Sequence, residues 1–166
     1  YKPMPGYRFI ASNTDRSRYY VGELNGKSSK QAYMDALHIS ESNIINQTFH
    51  NPLGKMNGQD ICIISLKEVS GNGLCCYRQV NDSDVLVLLE EQDYNEILDE
   101  TLQRIRRDFN HISGVFSINC VFRYLLFSQE HHMEDYLKTM STLGEHAGLI
   151  GFGEHYNQQF VNQTMT

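Results

Sequence analysis

The sequence contains no tryptophan and only three prolines in 166 residues. No run of apolar residues is longer than five, whereas a membrane-spanning helix needs about 20, so we expect no membrane segment in this chain. The four cysteines show no Cys-x-x-Cys spacing, and each lies in an apolar, strand-like segment. This pattern indicates buried thiols in a reducing compartment and predicts a cytoplasmic protein.

A basic surface is also missing. The chain has 14 Lys and Arg against 20 Asp and Glu, which gives a formal net charge of -6. Its densest basic cluster is Arg104, Arg106 and Arg107, inside an otherwise acidic helical segment. Such a surface repels phosphates, so we expect no nucleic acid partner.

Motifs of enzymes and of metal sites are absent as well. There is no Gly-x-Ser-x-Gly elbow, phosphate-cradling loop or His-Glu-x-x-His segment, so we expect no catalytic residues. His131 and His132 would point about 100° apart on a helix and cannot share one ion unaided, so no metal site is expected. No cofactor is expected either. The alternative that stays open is haem, with His50, His146 or His155 as a single axial ligand.

The pattern of apolar residues predicts more strands than helices. Strands are expected at residues 7–11, 18–24, 61–67, 74–80, 85–89 and 114–120. Ser28 or Ser29 can cap a short helix, Asp93 and Glu96 form a capping-box-like pair before a longer one, and a third is expected at residues 131–143. Several strands follow one another with no helix between them. We therefore predict an α+β fold with a mixed, mostly antiparallel sheet and helices packed on one side.

Two strands near the carboxyl terminus are expected to carry the functional residues. Glycines that alternate with large apolar residues in segment 148–154 permit close backbone approach, and Glu154 follows where this strand leaves the core. Arg123 similarly follows the buried strand 114–120. If the two strands are neighbours, an arginine and a glutamate converge at one edge and could bind the two ends of a zwitterion. The alternative is an ion pair that only stabilises the crossing of the strands.

Further polar residues are expected beside this pair. Asn162 and Thr164 lie two apart and therefore share one face of a strand, where they could contact a ligand or form a hydrogen-bonded ladder at a sheet edge. The residues predicted to line the ligand site are Arg123, Gly148, Gly151, Gly153, Glu154, Asn162 and Thr164.

In these segments the chain resembles the C-terminal half of the FIST sensory domain of bacterial signal-transduction proteins and some eukaryotic F-box proteins. The Cys-x-x-Arg of that family is similar to Cys120 and Arg123, and its Gly-x-x-x-x-Gly-Glu to Gly148, Gly153 and Glu154. A closing Asn-x-Thr matches Asn162 and Thr164, and residues 50–54 resemble its His-Pro-Leu-Gly with one residue inserted. This sequence departs from the family pattern at Val121, Phe122 and Val161.

The resemblance implies a domain organisation and a function. Residues 1–14 would be a linker or the end of a preceding FIST N-terminal domain, and residues 15–166 a FIST C-terminal-like domain. It also implies a small-ligand-binding sensory domain, with an amino acid as the leading ligand, joined to or partnered by a signalling output domain. The alternatives are a haem-based gas sensor and a protein-interaction module without a small ligand.

Overall fold

The structure is a computed structural model that describes residues 1–58, 60–156 and 159–161, with only the backbone course for residues 154–156 and 159–161. The chain divides into two compact units, Tyr1–Glu91 and Gln92–Thr166. Among the described residues, no helix combines the length and the apolar character needed to cross a membrane.

The first unit is built on an antiparallel sheet of eight strands, counted over its described residues, with the order β5-β4-β8-β1-β2-β7-β6 and with β3 beside β2. Its strands are β1 (Lys2–Asp15), β2 (Tyr20–Leu24), β3 (Lys27–Ser28), β4 (Leu53–Asn57), β5 (Asp60–Ile64), β6 (Leu66–Ser70), β7 (Gly73–Cys76) and β8 (Val85–Glu90). Two helices, α1 (Ser29–Leu37) and α2 (Ile44–Gln47), precede β4.

Strand β1 connects the two sides of this sheet. It pairs with β8 through residues 2–10 and with β2 through residues 11–15. The register with β8 shifts between Pro3 and Arg8, where Gly6 adopts a φ of 86°, as expected of a bulge that bends a strand. Most of the segment that was expected to be a linker or the end of a preceding domain is therefore a paired strand, and the boundary at residue 15 stays a prediction.

The predicted start of α1 is confirmed. Ser28 Oγ accepts a hydrogen bond of 3.3 Å from the backbone N–H of Gln31, so Ser28 is the cap, one of the two serines that the sequence allows. The helix buries Ala32, Tyr33 and Ala36, and these side chains join the core of the first unit. The apolar residues that recur at helical spacing in α1 are therefore the ones that pack on the sheet.

The strand predicted at residues 61–67 is divided between two strands, and the strand predicted at residues 74–80 ends at Cys76. Residues 61–64 belong to β5, which pairs with β4, whereas β6 pairs with β7 around a turn at Gly71. Ser65, which is buried, lies between β5 and β6 and interrupts what reads as one apolar strand. The pairing of β5 and β6 with different strands therefore depends on the interruption at Ser65, which the pattern of apolar residues does not reveal.

The second unit contains three helices and four short strands among its described residues. Its elements are α3 (Tyr94–Asp108), β9 (Gly114–Cys120), α4 (Val121–Gln129), α5 (Met133–Ser141), β10 (Glu145–Gly151), β11 (Glu154–Tyr156) and β12 (Gln159–Val161). Strands β9 and β10 form a parallel pair, and β11 and β12 an antiparallel pair. Asp93 caps α3 as predicted, since its Oδ1 accepts from the N–H groups of Asn95 and Glu96. With the sheet of the first unit, these elements confirm the α+β class.

Candidate functional site

Strands β9 and β10 of the second unit are neighbours, as the sequence analysis required. They run parallel in a continuous register from the pair Gly114 and Glu145 to the pair Cys120 and Gly151. In parallel strands the carboxyl ends meet at one edge, and the chain leaves both strands there. Arg123 and Glu154 each follow three residues after the last residue of these strands.

Gly148, one of the predicted site residues, lies opposite Ser117 in this pair of strands. A Cβ atom at position 148 would lie 2.6 Å from Ser117 Oγ and 2.8 Å from its carbonyl oxygen. Both distances are shorter than real contacts, so only glycine fits without movement of the backbone. Close approach, which the sequence predicted for these glycines, is therefore present at Gly148.

Arg123 does not lie in an extended segment after β9. Helix α4 begins directly at Val121, so the arginine is in the first turn of this helix. Its guanidinium carbon lies 4.9 Å from the ring centroid of Phe127 and 5.8 Å from that of Tyr136. These distances are typical of cation–π contacts, in which the positive guanidinium is attracted to the faces of the two aromatic rings.

The remaining predicted residues are described in part. Gly151 is the last residue of β10, opposite Cys120, and Gly153 lies in the bend that follows. The backbone of Glu154 begins β11, but its side chain is outside the described part of the structure. Asn162 and Thr164 lie wholly outside the described residues. The Arg123–Glu154 pair stays a prediction.

A cavity of about 280 Å³ lies on the face of β9 and β10 that carries Ser117 and Gly148. Helix α5 and Tyr124 of α4 contribute to its walls. The described residues that line it are Ser117, Asn119, Tyr124, Met133, Tyr136, Leu137, His146, Ala147, Gly148, Leu149 and Ile150. This volume is close to the lower end of the range of small-molecule sites, which begins at roughly 300 Å³.

Two polar pairs lie in the lining of this cavity. Ser117 Oγ and His146 Nε2 are 2.8 Å apart and join β9 to β10 by a hydrogen bond. Asn119 Nδ2 donates to the phenol oxygen of Tyr136 at 2.8 Å and joins β9 to α5. Tyr136 also packs edge-on against the His146 ring, with 6.2 Å between the ring centroids. The four polar side chains therefore form one contiguous group around Tyr136.

The carboxamide of Asn119 has a second polar atom, its Oδ1 oxygen. This oxygen is buried, and no hydrogen-bond donor reaches it among the described residues. A buried carbonyl oxygen without a donor costs free energy, on the order of 1–3 kcal/mol. Because this oxygen is closed to solvent, a ligand in the cavity would reach it only if the Asn119 side chain moved.

The sequence analysis missed these four polar residues as a group. Ser117 and Asn119 lie two apart in an otherwise apolar strand, which places them on one face, and this spacing was the available signal. Tyr136 lies in the helix expected at residues 131–143 and is 2% exposed. His146 was considered only as a haem ligand, and its Nε2 contacts Ser117 instead.

Comparison with known proteins gives one match. A family model described as the FIST C domain matches residues 30–157, which is more than half of the chain. Neither the curated proteins nor the solved structures contain a significant match. The match includes residues of both compact units and every described residue of the cavity.

Proposed function

Because the chain belongs to the FIST C domain family, a family of domains of signal-transduction proteins, we propose that it is a small-ligand-binding sensory domain. The ligand occupies the cavity on β9 and β10 of the second unit. A linked or separate output domain then responds to the occupied state.

The observation that carries this proposal is the composition of the cavity walls. Apolar side chains such as Met133, Leu137 and Ile150 surround the hydrogen-bonding groups of Ser117, Asn119, Tyr136 and His146. Small-molecule sites combine an apolar lining with a few convergent polar groups in this way. Gly148 supports the same function, because it leaves open the space that any larger residue would occupy.

Signal transmission requires that the ligand prefer one conformation of the domain. The cavity walls come from four elements, since Ser117 lies on β9, Tyr124 on α4, Leu137 on α5 and Ile150 on β10. A ligand that contacts all four favours conformations in which they are held together. The difference in affinity between the two conformations sets the largest possible signal.

The experiment is a thermal-shift and calorimetric screen of the whole chain against amino acids, related small acids, neutral amides and alcohols, and haem. A ligand that binds the native state raises the melting temperature by mass action. Leu137→Trp fills the cavity and should abolish the shift. Leu125→Trp is the matched control, because Leu125 has a similar exposure, 40% against 46%, and does not line the cavity. A ligand that binds both variants equally would place its site elsewhere and contradict this proposal.

If Arg123 and Glu154 form a pair, the ligand that we propose for it is an amino acid. In this proposal Gly148, Gly151 and Gly153 shape one wall, and Asn162 and Thr164 contact the ligand. Glu154→Gln removes the acceptor for an ammonium group at almost unchanged volume, so amino acid affinity should fall. Calorimetry with the two proteins measures this loss, and equal affinities would exclude the pair as the binding site.

A protein-interaction module is the second candidate function, and one observation favours it. The opposite face of β9 carries Phe116 and Ile118, neither of which lines the cavity, and Phe116 is 64% exposed. Exposed apolar faces frequently mark protein contacts. If the domain binds a protein through this face and has no small ligand, the screen should give no shift and Phe116→Ser should weaken binding of the output domain.

A further inference from the structure

We propose that two copies of this chain associate through the free edge of β10, with the two β10 strands antiparallel about a two-fold axis. The inference goes beyond the proposed sensory function, because it depends only on the strands of the second unit and requires no ligand. The partner that it names is a second copy of the same chain.

Strand β10 has an open edge. Among the described residues it pairs only with β9. Alternate residues of a strand point their N–H and C=O groups to opposite edges, so about half of the backbone groups of β10 face away from β9. Residues 147–150 are all exposed, and Leu149 and Ile150 are 47% and 45% exposed. Another strand can therefore reach this edge.

The sequence of β10 does not protect this edge against pairing. Proteins commonly protect an open edge with lysine, proline or a bulge. Strand β10 has no lysine, arginine or proline, and its register with β9 is continuous over all seven residues. Its single formal charge is on Glu145, the first residue of the strand. An edge of this kind is suited to main-chain pairing with another strand.

A second copy of β10 fits the edge in a register centred on Gly148. A two-fold axis between antiparallel strands passes between equivalent residues, so one residue must face its own copy. With Gly148 at the axis all seven residues of β10 pair, and no side chains meet there. Glu145 then faces Gly151 of the second copy, which keeps the two like charges apart. Leu149 faces the small side chain of Ala147 in the second copy.

This register also brings the second copy to the wall of the cavity. Directly opposite residues of antiparallel strands lie on the same face of the sheet. His146 and Ile150, which both line the cavity, face each other across the proposed interface. Association thus extends the cavity wall with side chains of the second copy.

Dilution of the whole chain tests the association. A pair of seven-residue edges is small beside the roughly 1,200–2,000 Å² of stable interfaces, so we expect a dissociation constant of about 10 µM to 1 mM. Sedimentation equilibrium from about 5 µM to about 2 mM should show the mass rise from 19.2 kDa towards twice that value. NMR spectra of the isotope-labelled chain over the same range should show shifts at residues 145–151.

Charged substitutions on β10 test the register. Leu149→Lys should weaken association at least about tenfold, because each copy loses an apolar contact with Ala147 of the other. Ala147→Glu should weaken it as well. A mixture of the two variants should associate roughly two- to fivefold more tightly than either variant alone, since the new ammonium and carboxylate groups face each other. The dilution series on the unaltered chain gives a result even if a variant does not fold.

Two lysine substitutions outside β10 are the controls. Leu125→Lys on α4 changes a leucine of similar exposure, 40% against 47% for Leu149, and should leave association unchanged. Phe116→Lys changes the exposed face of β9 and should also leave it unchanged. The second control distinguishes the edge of β10 from the apolar face of β9.

Other results would overturn the inference. A mass of 19.2 kDa over the whole range would exclude the dimer, and a mass above that of a dimer would indicate an open assembly instead of a two-fold pair. Association that Phe116→Lys abolishes and Leu149→Lys leaves intact would place the interface on the face of β9. A mixture no tighter than the separate variants would refute the register. None of these results bears on the ligand screen, and a failed screen leaves the dimer intact.

Discussion

Gly148 and Ser117 lie opposite each other in the parallel strands β9 and β10, and a Cβ atom at position 148 would lie 2.6 Å from Ser117 Oγ. The carbonyl oxygen of Ser117 would be almost as close, at 2.8 Å. A flexible side chain can move away from a new methyl group, but a backbone carbonyl in a sheet cannot do so without breaking the register. This contact gives the first prediction.

Gly148→Ala should destabilise the second unit by about 1–3 kcal/mol, the usual cost of an overpacked site. Urea denaturation followed by a probe in the second unit measures this loss. Gly114→Ala is the control in the same pair of strands, since its nearest contact would be 3.3 Å and a smaller loss is expected. If the two variants were equally stable, the close approach at Gly148 would be refuted.

The hydrogen bond between Ser117 and His146 should have a measurable coupling energy. A double-mutant cycle with Ser117→Ala and His146→Leu should give about 0.5–1.5 kcal/mol in the free energy of unfolding. Ser113 and His111 provide a comparison, because their side chains are 3.3 Å apart and exposed, so coupling near zero is expected there. Equal coupling in the two cycles would argue against a specific bond in the cavity wall.

The Asp93 cap should stabilise α3. Its Oδ1 accepts at 2.9 Å from Asn95 N and at 3.1 Å from Glu96 N. Asp93→Ala should therefore cost about 1 kcal/mol, whereas Asp93→Asn should cost little because asparagine also caps helices well. Asp99→Ala, an exposed change within the helix, is the control, and thermal unfolding compares the three variants. An equal loss in all three would contradict the cap.

The thiol of Cys76 should make stability depend on pH in the alkaline range. Burial raises the pKa of Cys76 to about 12, and the neighbouring Cys75 adds to this effect. The folded state thus keeps a proton that the unfolded chain releases near pH 9, so the stabilisation is complete below that pH and is lost between pH 9 and about 12.

Wild-type protein should consequently lose about 1.4 kcal/mol more than Cys76→Ala between pH 8 and pH 10, as measured by urea unfolding. Val80→Ala removes part of another buried side chain and carries no titratable group, so its pH dependence should follow the wild type. Identical pH profiles for wild type and Cys76→Ala would show that this thiol is not buried.

Local features of the sequence were sufficient to predict several elements. Ser28 and Asp93 are caps whose side chains bind backbone groups two or three residues away, so α1 and α3 could be located from neighbouring residues alone. The strand at residues 85–89 is confirmed as β8 because a short, continuously apolar run is typical of a strand buried on both faces. The α+β class follows from the order of such elements.

The sequence by itself therefore determined where caps, apolar runs and close-packed glycines occur, and which family the chain resembles. Only the tertiary structure decided that β1 joins two sides of a sheet, that α4 follows β9 without a loop, and that Ser117, Asn119, Tyr136 and His146 surround one cavity. The physical reason is the range of the interactions. A cap or a hydrophobic period involves residues within a few positions, whereas strand pairing and cavity walls depend on many weak contacts between residues that are distant in the sequence.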